Sequence, residues 1–209
     1  MSECRKLNQQ QFRNHILATS TFSLPLFPLS AHILPGGVMS LRIFEPRYIR
    51  MIKEACANQT GFAICMLNSQ GDKEQNEHIY PVGTFVTVED FDLLEDGLLG
   101  IKVKGHRCVR IERIDTDKDG LRIGQCHWQE NWTCEINPQA IAPMDSRLKE
   151  IFNKYPEVKT LYPQPEFNNP IWVIYRWLEL LPVNAEQKQA FLEQKDCQIA
   201  LEFLSQLVE

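Results

Sequence analysis

The hydrophobic pattern of this chain changes its period near residue 136. Before that point, apolar residues recur mostly at every second position, as they do in strands that bury one face. After it, they recur at every third or fourth position, as in amphipathic helices. Six segments before the change are predicted to be strands: residues 23–29, 38–43, 61–67, 83–91, 98–114 and 121–128. The chain is therefore predicted to be an α+β protein, with a β-rich half followed by a helical half.

Helix start signals place one helix inside the β-rich half and several after it. Pro46 suits the first position of a helix over residues 46–57, because its missing N–H needs no partner there. A second helix is predicted over residues 144–155. Three polar residues are predicted to cap later helices: Asn169, Asn184 and Asp196. In the last helix, four residues are expected to face inward: Ile199, Phe203, Leu204 and Leu207.

These segments divide the chain into three parts. Residues 1–20 are polar and are predicted to form an N-terminal arm. Residues 21–134 are predicted to form a β-rich subdomain with one helix, and residues 135–209 a helical subdomain. A length of 209 residues lets the two subdomains pack together as one domain.

Charge and cysteine content indicate which partners and which cellular compartment suit this chain. The formal net charge of −5 gives no overall attraction to nucleic acid or to anionic lipid. No apolar signal segment is visible at the start of the chain, which favours a cytoplasmic location. The seven cysteines include no Cys-x-x-Cys pair, so they indicate neither a zinc site nor a disulfide framework. Most of them are predicted to be small buried residues in a reducing compartment.

The sequence contains no recognisable catalytic motif. There is no Gly-rich phosphate-binding loop, no His-Glu-x-x-His and no Gly-x-Ser-x-Gly. Residues 115–120 begin like a calcium-binding loop, but Cys126 stands where such a loop needs a glutamate, so a hairpin turn is predicted instead. We therefore predict no catalytic residue, no metal and no cofactor. A hydrolase whose site is built from distant residues stays open as an alternative.

One strand offers an alternative binding surface for nucleic acid. Five basic residues lie on or near it: Lys102, Lys104, Arg107, Arg110 and Arg113. Such a row is able to contact phosphates. Acidic residues are close in sequence and would neutralise much of the charge, which favours interpreting the row as the solvated face of a sheet.

Two stretches of the β-rich half resemble a known family. Residues 24–29 read Leu-Pro-Leu-Phe-Pro-Leu, residues 34–36 read Leu-Pro-Gly, and residues 41–48 read Leu-Arg-Ile-Phe-Glu-Pro-Arg-Tyr. In order and spacing they resemble the signature of the Lon protease N-terminal domain family. Further similarity lies in Val82-Gly-Thr, in the stretch from Asp96-Gly97 to Arg107, and in the helices around Leu181-Pro182 and residues 187–193. The resemblance covers about residues 21–209.

The resemblance implies a fold and a function. The fold is a PUA-like β-barrel, or pseudobarrel, followed by a helical bundle. The implied function is that of a non-catalytic peptide- or protein-binding module, a stand-alone relative of the substrate-recognition domain without the ATPase and Ser–Lys protease segments. Its implied partner is a polypeptide, while nucleic acid and membrane are not favoured. The oligomeric state, including a homodimer, is left open.

A candidate peptide-binding cleft is expected between the barrel and the helices. It would be an exposed apolar groove bordered by five residues: Phe27, Phe44, Glu45, Arg47 and Tyr48. A structural role competes with this hypothesis. Glu45 and Arg47 could instead hold the junction between strand and helix, with Arg47 paired to a carboxylate or to a loop carbonyl.

Overall fold

A computed structural model describes residues 20–132 and 136–208 of the chain. Six strands occupy its first half: β1 (Phe22–Leu29), β2 (Val38–Ile43), β3 (Phe62–Leu67), β4 (Ile79–Leu93), β5 (Leu99–Thr116) and β6 (Arg122–Trp128). One helix, α1 (Pro46–Ala57), separates β2 from β3. The predicted bounds of β2 and α1 are therefore confirmed. The predicted N-terminal arm lies outside the described residues, apart from Ser20.

Five of the six strands pair in a closed circuit. β5 pairs with β4, β4 with β3, β3 with β1, β1 with β6, and β6 again with β5. All of these pairs are antiparallel except β1 with β3. Strand β2 stands outside the circuit and pairs with the first part of β5. The α+β class is confirmed, and the circuit closes the sheet as a small barrel does.

Strand β5 belongs both to the closed circuit and to the β2–β5 pair, because it bends in its middle. Its register against β4 shifts where Phe85 faces Arg107 and Val86 faces Gly105, so His106 is an extra residue. A side chain at Gly105 would lie 2.6 Å from the Leu34 carbonyl oxygen, which explains the glycine. The irregularity at this point is a β-bulge.

Helix α1 packs against one side of the barrel. It buries Tyr48, Met51, Ile52 and Ala55. These residues form one apolar cluster with Ile43, Ile101 and other side chains of the sheet. Because α1 follows β2 after only two residues, this cluster fixes the helix close to the strand that precedes it.

The second half contains five helices within residues 136–208. They are α2 (Pro138–Lys154), α3 (Pro156–Leu161), α4 (Pro170–Leu180), α5 (Ala185–Leu192) and α6 (Gln198–Leu207). Asn169 and Asn184 cap α4 and α5 as predicted, accepting hydrogen bonds from Trp172 N and Gln187 N. None of the described helices is long and apolar enough to cross a membrane.

Three expectations for this half differ from the structure. Helix α2 begins before residue 144, because Asn137 caps it by accepting from Gln139 N. No helix was predicted in the proline-rich stretch that contains the short helix α3. In α6 the predicted inward face is wrong at Ile199 and Leu207, which are exposed. Leu204 is buried as predicted, and Ala200 and Leu201 are buried although they were not predicted to face inward.

Cysteines follow the prediction in part. Cys65, Cys108 and Cys126 are free and buried. Cys56 is free but exposed, because it lies on the solvent side of α1. Cys197 is disulfide-bonded, so the expectation of reduced thiols is wrong at that position.

Polar side chains attach the helical half to the barrel. Gln189 of α5 accepts from Val82 N at 2.9 Å and donates to Val82 O at 2.8 Å, as a neighbouring strand would. In α4, Glu179 accepts from Leu34 N at 2.6 Å. Arg176 donates to Glu179 at 2.8 Å and to Leu34 O at 3.2 Å. The loop before β2 is therefore held by a buried ion pair.

Candidate functional site

The junction between β2 and α1 is held by Arg47. Its guanidinium pairs with Glu45 at 2.6 Å and donates to Gly120 O at 3.0 Å. It also lies 4.8 Å from the centre of the Tyr48 ring. Arg47 thus contacts a carboxylate and a loop carbonyl, the two kinds of partner that the sequence indicated. These contacts give Glu45 and Arg47 a structural role at the junction.

A second arginine of α1 holds the turn between β5 and β6. Arg50 binds Asp117 at 2.8 Å and Asp119 at 2.8 Å, and it also contacts Glu54. The hydrogen bond from Arg50 lowers the pKa of Asp119. The acidic turn of residues 117–120 is therefore an anchor for the helix. Within the described part of the chain, no group of three or more His, Cys, Asp or Glu side chains is placed to hold a metal ion.

Two of the five predicted cleft residues are buried. Phe27 and Tyr48 are 6% and 8% exposed, and their ring centres lie 4.2 Å apart. They belong to the apolar cluster beneath α1. Phe44 differs from them, since it is 69% exposed. The structure therefore brings all five residues into one neighbourhood of the fold but leaves Phe44 as the accessible apolar side chain.

More exposed apolar side chains lie at the same end of the sheet. Phe91 and Leu93 of β4 are 65% and 72% exposed. In register, Phe91 faces Ile101 and Leu93 faces Leu99. On the other side of β5, Leu41 faces Ile101 and Ile43 faces Leu99. Directly opposed residues share a face of a sheet, so this end of the sheet carries one apolar face across three strands.

We call this face, together with the adjacent aromatic and the first turn of α1, the tip surface. It consists of six residues: Leu41, Phe44, Ile49, Phe91, Leu93 and Leu99. Leu41, Ile49 and Leu99 are partly buried against the cluster beneath α1, so the tip surface continues that core outward. Exposed apolar patches of this kind mark contact sites in soluble proteins.

The sequence contains a signal for part of the tip surface. Phe91 and Leu93 alternate with Asp90 and Asp92 just before an Asp-Gly turn. That alternation predicts a strand with one apolar and one acidic face. It does not show that Phe91 and Leu93 are left exposed, because their burial depends on how far helix α1 extends over the sheet.

A groove runs beside the tip surface. It has a volume of about 410 Å³ and separates the C-terminal end of α1 from β4. Ala55, Cys56 and Gln59 line one side, and Val88 and Phe91 line the other. The apolar side chain of Phe91 is thus accessible from both the groove and the tip. A narrow polypeptide segment would fit such a groove.

The cavity between the two halves of the molecule has a different lining. Its volume is about 300 Å³, and its walls include Pro35, Trp132, Trp172 and Tyr175. None of the five predicted cleft residues lines it. The three aromatic side chains are almost fully buried, and the rings of Trp132 and Tyr175 stack with centres 4.8 Å apart. Their burial shows that these aromatic side chains belong to the core.

Most of the predicted basic surface is engaged by the protein itself. Arg110 pairs with Glu193 at 3.1 Å, Arg113 with Asp115 at 2.9 Å, and Lys104 approaches Glu89 at 3.9 Å.

The other two basic residues also have neighbours within the fold. Arg107 donates to Gln129 O at 3.0 Å and lies over the Trp128 ring. Lys102 lies opposite Asp90 in the sheet. Three of the five basic residues are thus paired with carboxylates of the protein, which reduces the positive charge that this strand offers to phosphates.

Comparisons with known proteins agree on one family. Residues 23–209 match the family described as the ATP-dependent protease La (LON) substrate-binding domain. The crystal structure of a Lon N-terminal domain protein from Xanthomonas campestris superposes with a TM-score of 0.70 and 28% identity. The match covers 90% of this chain and 99% of that one.

Two further matches carry less information about the whole chain. The N-terminal domain of Mycobacterium avium complex Lon protease has a TM-score of 0.61 over 90% of this chain and 98% of its own. At 15% identity it shows the fold alone. Lon protease 1 of Bdellovibrio bacteriovorus is 33% identical over 90 residues, which are 42% of this chain and 11% of that protease. The matched segment is thus a small part of that enzyme.

Proposed function

Because the chain belongs to the ATP-dependent protease La (LON) substrate-binding domain family, we propose that it is a non-catalytic module that binds polypeptides through the tip surface. The family description supports a role in substrate recognition. The tip surface supplies apolar contact area, which is what an unfolded or partly folded polypeptide offers in return. A cytoplasmic location and the lack of a cofactor are parts of the same proposal.

One observation carries the proposal. Three large apolar side chains, Phe44, Phe91 and Leu93, are each about two-thirds exposed at one end of the sheet. Burying one such side chain releases about 1.5–3 kcal/mol, so a partner that covers all three gains a substantial free energy. Folded proteins hide their large apolar side chains, whereas unfolded segments display them. The surface therefore favours unfolded segments over folded surfaces.

The cleft predicted from the sequence is retained in modified form. Phe44 belongs to the binding surface, with Glu45 and Arg47 at its border. Phe27 and Tyr48 lie in the core beneath α1. Their assignment to the site stays a prediction.

Fluorescence anisotropy with a labelled, permanently unfolded polypeptide tests the proposal. The double variant Phe91→Ser/Leu93→Ser removes two apolar side chains from the tip surface. Because central apolar contacts dominate binding free energy, we expect the affinity to fall by about 10- to 100-fold. The far-ultraviolet circular dichroism spectrum should not change, since both side chains are exposed.

A matched control removes two exposed apolar side chains elsewhere. Ile199→Ser/Leu207→Ser alters two α6 side chains that are 50% and 53% exposed. This variant should bind like the unaltered chain. Equal loss in both variants would indicate nonspecific adhesion, and full binding by the Phe91→Ser/Leu93→Ser variant would contradict the proposal.

A further inference from the structure

The sheet has two free strand edges next to the tip surface. β4 pairs with β3 only as far as Val86, so its remaining residues have β5 on one side alone. β2 pairs with β5 and, within the described residues, with no other strand. A free edge presents backbone N–H and C=O groups that can accept another strand.

The β4 edge is closed by its own side chains. Leu94 N donates to Leu98 O in the hairpin loop, so residues 90, 92 and 94 direct their backbone groups toward β5. Phe91 and Leu93 consequently point their N–H groups outward. Asp90 accepts from Phe91 N at 2.9 Å, and Asp92 accepts from Leu93 N at 2.8 Å. The N–H groups that an added strand would need are therefore already paired with these carboxylates.

The β2 edge has no such cover. Gly37 O accepts from Gly105 N of β5, whereas Val38 N donates away from the sheet to the Tyr162 hydroxyl at 3.0 Å. Backbone direction alternates along a strand, so Ser40 and Arg42 also point their N–H and C=O groups away from β5. Neither backbone has a hydrogen-bond partner among the described residues. Both residues are exposed.

We propose that an extended polypeptide segment binds by adding a strand to the free edge of β2. The inference rests on the proposed function and specifies how the polypeptide is held. The segment would exchange backbone hydrogen bonds with Ser40 and Arg42. These residues are two positions apart, about 6.8 Å along the strand, and an extended backbone supplies a donor and an acceptor at that spacing. Tyr162 ends the available edge at Val38.

The surroundings of the edge define the chemistry of the segment. Leu41 lies between Ser40 and Arg42 and faces the apolar side of the sheet, and Phe44 follows at the end of β2. An added strand lies about 4.8 Å from β2, so its apolar side chains would extend this face. Asp90 and Asp92 line one surface with Ser40 and Arg42, and Asp96 pairs with Arg42. The strands and hairpin loop beside the edge are net acidic, with five acidic residues (Glu89, Asp90, Asp92, Glu95 and Asp96) against three basic ones (Arg42, Lys102 and Lys104). The segment is therefore one that alternates apolar with basic residues.

Backbone amide exchange of the intact chain tests the inference directly. The probe is a labelled peptide of about eight residues that alternates Leu or Phe with Lys. In the free chain the Ser40 and Arg42 amides should exchange rapidly. Saturating peptide should slow both by at least about 10-fold, because each N–H becomes a ladder hydrogen bond.

A pair of variants at one position separates backbone from side-chain effects. Ser40→Pro removes an N–H that has no partner in the free chain, and proline is tolerated on the free side of an edge strand. It should weaken binding of the probe by about 10-fold, whereas Ser40→Ala should bind like the unaltered chain. Thermal unfolding of both variants checks that they are folded.

Each outcome decides the inference. If the probe binds while the Ser40 and Arg42 amides stay unprotected, strand addition is overturned and the proposed function survives. If neither the probe nor an unfolded polypeptide binds, both fail. Protection that grows with the concentration of the chain alone would assign the edge to a second copy, and would also overturn the inference.

Discussion

The interface between the two halves and the free end of the sheet differ in whether their chemical groups have partners. At the interface, Gln189 satisfies both backbone groups of Val82, and Arg176 with Glu179 satisfies those of Leu34. At the free end, large apolar side chains are exposed and part of the β2 backbone has no described partner. Buried polar groups that lose a partner destabilise a protein, whereas exposed groups without one are available to bind.

This contrast separates the groups that stabilise the fold from those that are available to bind a partner. Removing a group from the interface should lower the free energy of unfolding without removing any group that binds polypeptide. Removing a group from the free end should impair binding and leave the fold intact. Three predictions test this separation, beginning with the largest expected effect.

Loss of the Glu179 carboxylate should cause the largest change. In Glu179→Ala, Arg176 stays buried at 2% exposure without its charge partner, and Leu34 N loses its acceptor. We expect the free energy of unfolding to fall by about 3–5 kcal/mol, measured by urea denaturation. Glu186→Ala on the exposed side of α5 is the control and should change it by less than about 0.5 kcal/mol. A loss below about 1 kcal/mol at Glu179 would refute the role assigned to the ion pair.

A smaller effect should appear as a pH dependence. Burial lowers the pKa of His32 to about 4, and the nearby Lys188 charge acts in the same direction. The unfolded chain therefore binds this proton more strongly than the folded chain does. Stability should fall as the pH drops from about 6.5 to about 4, by roughly 1–2 kcal/mol after allowing for the partial exposure of His32.

Comparison of His32→Asn with the unaltered chain isolates that dependence. The variant should show a flatter profile of unfolding free energy against pH over the same range. The tip variant Phe91→Ser/Leu93→Ser should keep the profile of the unaltered chain, because His32 is untouched. Parallel profiles for the His32→Asn and unaltered chains would contradict the prediction.

The smallest effect on stability should come from the tip surface. Phe91→Ser and Leu93→Ser, made singly, each remove an exposed side chain, so the free energy of unfolding should change by less than about 0.5 kcal/mol. Urea denaturation measures this, with the same Glu186→Ala control. A loss of 2 kcal/mol or more would show that the side chain is packed in solution, and the contrast between the two regions would fail.

Local signals in the sequence were sufficient for many of the elements. Alternating hydrophobicity located β2, and Pro46 with the apolar spacing after it located α1. Asn169 and Asn184 marked two helix starts correctly. These signals act within a few residues, through backbone capping and side-chain period, so they can be recognised without the fold.

The candidate site was predicted less completely. The aromatic residues of the family signature, Phe27, Phe44 and Tyr48, look equally suited to a binding surface in the sequence. In the structure, helix α1 covers Phe27 and Tyr48 and leaves Phe44 exposed. Phe91 and Leu93 belong to an ordinary alternating strand, and nothing local distinguishes them from core residues.

The sequence was sufficient to predict the α+β class, the order of the described strands and helices apart from α3, and the family resemblance carried by residues 41–48. The tertiary structure alone decided which groups stay free. Pairing of β5 with β6 closes the circuit of strands and leaves β2 outside it, and the length of β4 carries Phe91 and Leu93 beyond the barrel. Exposure depends on contacts between residues far apart in the chain, and no local pattern records those contacts.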